Sequence, residues 1–252
     1  LGDKRNEINF IKKKLKKNIK LSYVSKKNSP TIVKTRVIDK YSKSKLSAIY
    51  DLNDNDLDED SENKLISILT KKLQKYDLVV LADYGHGLLT KKVINFLQKK
   101  AKRLSLNLQL NALNQNFQKI EKYKKVDMIC LHERELKSYI KSREENNDKL
   151  IPHLKKIIKF NKIIITKGNK GSSLYFKNNK IICPAFANVI VDRIGAGDTL
   201  FGIASIFMLL KINYLLLLFI SNIVAGESVK NIGTESEFNK DQLIKTVNYL
   251  LK

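Results

Sequence analysis

The residues with the most chemical content lie in one run, Val191-Asp192-Arg193-Ile194-Gly195-Ala196-Gly197-Asp198-Thr199. A short apolar stretch gives way to Gly-Ala-Gly, and an apolar helix is predicted to start beyond it. Small residues let a backbone approach a ligand closely. The first amides of a helix have no intrahelical partner, and the helix dipole adds positive potential around them. Such a turn suits an anion, and the phosphates of a nucleotide are the obvious candidate. A carboxylate beside a bound phosphate is unfavourable unless it has a task. Asp198 is placed to accept the proton of an attacking hydroxyl, as phosphoryl transfer requires. The competing account is that Asp198 merely caps the helix. From these residues alone the two accounts stand level. The run is neither a Gly-Lys-Ser/Thr phosphate loop nor a dinucleotide-binding fingerprint.

The surrounding elements must hold this turn in place. Asp77–Ala82, Leu106–Leu110, Asp127–Leu131 and Lys162–Thr166 are short apolar runs predicted as strands. A helix over Thr90–Leu104, a helical turn near Phe117–Tyr123 and helices through Lys159 alternate with them. Continuous apolar strands between helices indicate an α/β fold with a mainly parallel sheet covered on both faces. Ligands of such sheets bind beyond the carboxyl ends of the strands. The segments there are Asp83-Tyr84-Gly85-His86-Gly87, Asn111-Ala112, His132-Glu133-Arg134-Glu135 and Lys167-Gly168-Asn169. Upstream, a lysine-rich helix is predicted over Asn6–Ile19. Strands over Thr31–Asp39 and Leu46–Asp51 form a hairpin through a polar turn at Ser42–Lys45. The acidic run Asn53–Glu62 reads as a solvated loop leading to a helix through Lys75. Downstream, Ser172–Phe176, Ile181–Cys183 and Val189–Val191 read as short strands, and the chain is helical thereafter. One main domain over residues 1–252, with a small β excursion at about residues 31–51, accounts for the pattern.

Composition narrows the function classes. With 252 residues, 43% of them hydrophobic, the chain can build a sizeable core. The net charge of +23 raises nucleic-acid binding, but only six of the 48 basic residues are arginines. The lysines spread over every segment, and the dense run Lys12–Lys20 has no interleaved aromatics to stack bases, so solvated helix faces are the favoured account. The two cysteines, Cys130 and Cys183, are far apart in apolar runs and make no metal or redox motif. A cytoplasmic protein without a secretory leader is expected. Leu200–Ala225 is apolar enough to raise a membrane span, yet Lys211, Asn213, Ser221 and Asn222 interrupt it, and two buried helices meeting near Lys211–Asn213 fit better. His86, His132 and His153 share no ligand spacing. Of these, His86, between glycines after a strand, is the candidate for ligand contact and His153 is assigned to the surface.

Asp192-Arg193-Ile194-Gly195-Ala196-Gly197-Asp198-Thr199 resembles the D-T-x-G-A-G-D signature of the PfkB (ribokinase-type) sugar kinases, with Arg193 in place of the usual Thr. Further segments follow in the same order. Thr31-Ile32-Val33-Lys34-Thr35-Arg36 is similar to the lid strand of the heptose-7-phosphate kinase branch, the kinase domain of ADP-heptose synthases. Ala82-Asp83-Tyr84-Gly85-His86-Gly87 resembles that branch's strand-end motif. Ile165-Thr166-Lys167-Gly168 through Gly171 resembles the nucleotide segment, and Asn222–Gly226 with Gly233-Thr234 resembles the helix and turn bordering the adenine.

The resemblance implies a ribokinase-like three-layer fold with a small β lid, and ATP with Mg²⁺ as cofactors. It implies that Asp198 deprotonates a sugar or sugar-phosphate hydroxyl while the Gly195, Ala196 and Gly197 amides stabilise the transferring phosphoryl group. Lys167, Gly168, Gly171, Asn222 and Gly226 are implied near the nucleotide, and Asp83 and His86 near the sugar; for Asp83 an N-cap or turn role is the equal alternative. The family's N-x-x-E metal motif is matched best by His132-x-x-Glu135, so Glu135 is the candidate to support the metal through water; a polar helix start is the other account of that residue. The strands and paired glycines that open the family have no counterpart in Leu1–Asn28. An amino-terminally truncated fold is therefore expected, with a homodimer or a complementing amino-terminal segment as partner. Two other accounts remain: a catalytically impaired nucleotide-binding remnant or subunit of such a kinase, and a basic nucleic-acid-binding protein.

Overall fold

The computed structural model describes residues 1–2, 5–41, 45–111, 114, 117–187, 189–230 and 239–251. They fall into two compact units, Leu1–Lys75 with Gly85–Lys100, and Tyr76–Tyr84 with Ala101–Lys252. Ser42–Ser44 of the expected turn, Ala112 and the Gly233-Thr234 pair lie outside the described residues.

The first unit holds helix α1 (Arg5–Lys14), strands β1 (Val33–Ile38) and β2 (Lys45–Asp51), and helices α2 (Glu59–Lys72) and α3 (Lys91–Lys100). β1 and β2 pair antiparallel, with Val33 opposite Asp51 and Val37 opposite Ser47, so the expected hairpin is present. The helix expected through Ile19 stops at Lys14. Lysines at 12, 13, 14, 16, 17 and 20 crowd like charges along the expected continuation, which disfavours further helix. The acidic run, expected as a loop, supplies the start of α2. Asp58 caps it by accepting the Ser61 amide at 3.0 Å, and Glu59, Asp60 and Glu62 sit in the first turn, where the dipole favours negative charge. α3 is capped by Thr90, whose Oγ1 accepts the Val93 amide at 3.2 Å, and it ends at Lys100, short of the expected Leu104. α2 and α3 pack on each other.

The second unit is built on a six-stranded sheet ordered β3-β4-β5-β6-β7-β8. Its strands are β3 (Val79–Asp83), β4 (Leu104–Leu108), β5 (Lys125–His132), β6 (Lys159–Thr166), β7 (Ser172–Phe176) and β8 (Asn179–Cys183). The first four run parallel; β7 pairs antiparallel with β6, and β8 antiparallel with β7. β4 is buried along its whole length, as a strand covered on both faces must be. Helices α4 (Glu133–Ile140) and α5 (Asn147–Ile157) contact β5 and β6; α6 (Ala196–Leu209) contacts β3, β4 and β5; α7 (Tyr214–Ser228) contacts β7 and β8; α8 (Lys240–Leu250) follows against α7. Met128, Cys130, Ile164 and Leu174 form one core with Leu200, Phe201, Ala204, Leu217 and Leu218. The alternate residues Ile129, Leu131, Ile163 and Ile165 are also fully buried, which requires cover on the opposite face. Each such side chain contributes about 2 kcal/mol on burial.

Val189–Val191 is not a strand. The Val191 and Asp192 amides both donate to the Val229 carbonyl, at 2.8 and 3.1 Å, so the segment is tied to the end of α7 instead of a ladder. α6 and α7 meet at Leu210–Asn213 as two separate helices, with Asn213 capping the second through the Leu215 and Leu216 amides. Among the described residues no helix is long and apolar enough to cross a membrane. In the sheet register Asp83 lies opposite Leu108 and His132 opposite Thr166, so the carboxyl ends of the parallel strands line one edge.

Candidate active site

α6 begins at a corner built from backbone. Gly195 has φ 84 and ψ −8, a left-handed conformation that costs other residues about 1–2 kcal/mol, and it caps α6 with no side-chain bond. Asp192 Oδ1 accepts the Ile194 amide at 3.0 Å and shapes the approach. The Ala196 amide reaches only the Arg193 carbonyl, at 3.5 Å; the Gly197 and Asp198 amides meet no protein acceptor among the described residues. Gly197 is exposed, and a Cβ built on it touches nothing within 4 Å. The corner therefore opens outward, with unpaired donors at a helix start.

Asp198 stands in the first turn of α6, half-buried. Its Oδ2 accepts the Tyr84 hydroxyl at 2.8 Å, and its Oδ1 is buried with no hydrogen-bond partner. Neither oxygen is spent on an α6 amide among the described contacts, so capping is not what this carboxylate does. Burial, and then the negative charge of Asp198, push the Tyr84 phenol far above its ordinary range. Tyr84 follows β3 directly, and its carbonyl accepts the Asn114 and Asn111 side-chain amides at 2.8 and 3.4 Å. The preceding carbonyl, of Asp83, accepts the Gln109 amide at 3.0 Å and the Gln118 side chain at 3.2 Å.

Asp83 itself is 4% exposed. Its Oδ2 accepts the Tyr123 hydroxyl at 2.7 Å and pairs with Lys122 at 2.6 Å. Burial first, then the Asp83 charge, raise the Tyr123 phenol. The 3-10 turn Ile120–Lys122 brings these two partners to the β3 end. Glu135 lies in the first turn of α4. Its oxygens accept the His132 amide at 2.7 Å and the Leu110 amide at 3.0 Å, while His132 Nδ1 accepts the Arg134 amide at 3.2 Å. This is a reciprocal capping box, the helix-start account weighed for these residues. Burial raises the Glu135 carboxyl above its ordinary value against the pull of the two amides, and Asp198 adds to the rise. Each Glu135 oxygen can accept one further hydrogen bond.

The nucleotide segment forms the β6–β7 hairpin. The Lys167 amide donates to the Gly171 carbonyl at 2.8 Å. Gly168 has φ 59, and a Cβ there meets nothing within 4 Å; Gly171 has φ 79, and a Cβ there lies 2.1 Å from the Cys183 carbonyl oxygen, so only glycine fits. Asn222, 5% exposed, donates to Ser172 Oγ and the Leu218 carbonyl, both at 2.7 Å, tying α7 to the first residue of β7. A Cβ on Gly226 lies 3.2 Å from the Ala187 nitrogen. The structure thus joins Gly171 to Asn222 through Ser172; no hydrogen bond among the described residues links this group to Asp198.

His86 belongs to the first unit. Its Nδ1 contacts Asp54 Oδ1 at 2.6 Å and its Nε2 contacts Lys34 Nζ at 3.0 Å, so the imidazole bridges β1 to the segment before α2. His153 is exposed. Tyr84, Lys122, Tyr123 and the clamp of Asn111 and Asn114 carry no motif of their own. The signal for Tyr84 was its place inside Ala82–Gly87; the others become visible only once the chain is folded.

A mainly parallel sheet between helix layers, with an amide-lined helix start and a carboxylate in its first turn, is an α/β arrangement of the ribokinase-like fold. Two solved structures share that fold: phosphofructokinase-2 from Escherichia coli (mutant Y23D), TM-score 0.76 at 15% identity, covering 100% of this chain and 80% of that one; and ribokinase from Giardia lamblia, TM-score 0.75 at 16% identity, covering 99% and 81%. The chain belongs to the pfkB family of carbohydrate kinases, whose pattern matches residues 3–234. It is 27% identical over 240 residues to the bifunctional protein HldE of Campylobacter jejuni (strain RM1221), covering 93% of this chain and 50% of that protein. To the HldE of Aliarcobacter butzleri (strain RM4018) it is 29% identical over 243 residues, covering 93% and 49%. The chain spans about half the length of these curated relatives.

Proposed function

We propose that the chain transfers the γ-phosphoryl group of ATP to a hydroxyl of a sugar or sugar phosphate, with heptose 7-phosphate the first acceptor to try. The family match supports the reaction class, and the HldE relatives support the heptose branch that the lid and strand-end motifs resemble. One observation carries the site: an outward-facing helix start with unpaired amides and, in its first turn, a carboxylate that does not cap the helix.

A phosphate fits this corner, because the Gly197 and Asp198 amides lack acceptors and the space beside Gly197 is open. Among the described residues no group of three or more His, Cys, Asp or Glu could hold a metal ion. Mg²⁺ with ATP supplies the phosphoryl group and neutralises its charge when bound. The corner amides hold negative charge at the phosphoryl oxygens. Asp198 takes the acceptor's proton as the hydroxyl attacks. Lys167, Gly168, Gly171, Asn222 and Gly226 would border the nucleotide, and Glu135 would support the metal through water. Asp83, fixed by Tyr123 and Lys122, would act on the sugar side by ordering the end of β3 and not by contact. The protein acts in the cytoplasm, where ATP and sugar phosphates are available.

The test is ATP-dependent phosphorylation of a panel of heptose and hexose phosphates, with Asp198→Asn as control. Loss of turnover by at least about 100-fold in that variant is expected. Undiminished turnover rules out Asp198 as the base. Thermal stabilisation by nucleotide without any turnover favours the non-catalytic nucleotide-binding remnant.

A further inference from the structure

Asp198 has an unusual set of neighbours for an acid. Its own helix contributes amides and dipole; the side chains facing it are the Tyr84 hydroxyl from the β3 end, the buried Cys130 thiol of β5 and the Glu135 carboxyl of α4. Glu135 repels it, and the thiol, raised by burial and by both acids, stays neutral. Oδ1 has no donor among the described residues. The Tyr84 hydroxyl is thus the one side-chain donor on this carboxylate among the described residues, at 2.8 Å.

Tyr84 is itself held. Asn114 Nδ2 donates both to the Tyr84 carbonyl at 2.8 Å and to the Gln109 carbonyl at 2.9 Å, and Asn111 adds a second bond to Tyr84 at 3.4 Å. The neighbouring Asp83 is locked by Tyr123 and Lys122. A donor fixed at its backbone on both sides and aimed at one oxygen of an otherwise unpaired acid is how a reactive group is kept in a single orientation.

We propose that Tyr84 is the positioning residue of the base: its hydroxyl fixes the orientation in which Asp198 accepts a proton. An ionised acceptor gains more from a hydrogen bond than a neutral one, so the contact holds most firmly in the form that acts as base. The inference rests on the assignment of Asp198 as base and adds to it the residue that makes that base competent.

The experiment compares the unaltered chain, Tyr84→Phe, a chain carrying 3-fluorotyrosine at position 84, and Asp198→Asn. Tyr84→Phe removes one oxygen from a half-buried ring, and circular dichroism checks that it folds. In the phosphorylation assay Tyr84→Phe is expected to keep KM within about 2-fold and to lose about 10-fold in kcat, the split that a misoriented base produces. A readout independent of turnover is the carboxyl ¹³C chemical shift of Asp198, its signal assigned by loss in Asp198→Asn. The signal is expected to move in Tyr84→Phe, which loses the donor, and in the opposite sense with the fluorinated phenol, a stronger donor. A signal unmoved by both replacements overturns the proposal whether or not the chain turns over. Undiminished activity in Asp198→Asn overturns the base assignment instead. A signal that moves as expected while Tyr84→Phe leaves kcat unchanged retains the contact and removes its catalytic meaning, which also overturns the proposal.

Discussion

Two helices of the second unit start beside the same sheet edge, and each carries an acid in its first turn, yet they end up opposite in character. At α4 the acid is consumed. Glu135 accepts the amides of His132 and Leu110, and His132 completes the box by accepting the Arg134 amide. At α6 the acid is left over. Gly195 gives the cap its backbone shape without a side-chain bond, the Gly197 and Asp198 amides stay unpaired, and Asp198 turns away from them to Tyr84. A closed helix start stabilises the fold and leaves only the second lone pairs of its acid for anything that binds. An open one gives up that stabilisation and keeps donors and a carboxylate for something that binds. The contrast also weighs the site residues against one another: Asp198 and Glu135 look alike as first-turn acids, and only one is unoccupied by backbone.

The largest expected effect separates the two acids directly. Asp198→Asn should abolish turnover by about 1000-fold while leaving the urea midpoint unchanged or higher, since it removes a partly buried charge lacking one partner. A matching loss of stability would mean that α6 is closed like α4. Next, Gly197→Val should cost less than about 1 kcal/mol of stability, because a Cβ there meets open space, yet weaken nucleotide binding at least about 10-fold by filling the space beside the amides. Calorimetric titration with ATP reads this, and unchanged affinity would remove the phosphate from the corner. At α4, Glu135→Ala should cost about 1–2 kcal/mol in urea unfolding, by losing the box. A cost near zero would show that α4 does not depend on its acid.

The smallest effect is in pH. Burial holds the His132 imidazole below its ordinary value, with Glu133 opposing and Arg134 adding to the shift. As the pH falls, the unfolded chain takes that proton first. The stability this residue contributes is therefore complete above the ordinary histidine range and is lost as the pH falls through the lowered folded value. Protonation also removes the lone pair that accepts the Arg134 amide. His132→Asn, which caps without titrating, should flatten the stability profile between about pH 5 and 7 by a few tenths of a kcal/mol, small because the ring is half-exposed. Urea midpoints across that range check it.

Much of the fold was legible from residue order. The apolar runs of β3 to β6 announced themselves because a strand covered on both faces needs no polar alternation, and the break at Lys211–Asn213 separated two buried helices. Local patterning misjudged the ends. Leu104 continued a helical pattern but belongs to β4, where pairing with Val79 and burial outweigh propensity. Val189–Val191 has strand composition but finds its acceptor at the end of α7.

What the sequence determined by itself is the corner: glycine at 195 and 197, small side chains and an acid at the head of an apolar helix, because backbone conformation and the orphan amides of a first turn follow from local residue types. Only the tertiary structure decided which acid is free. Tyr84 and Asp198 are 114 residues apart, and Leu110 and Glu135 are 25 apart. A carboxylate's partners are settled by which strand ends the fold brings beside it, and no spacing along the chain records that.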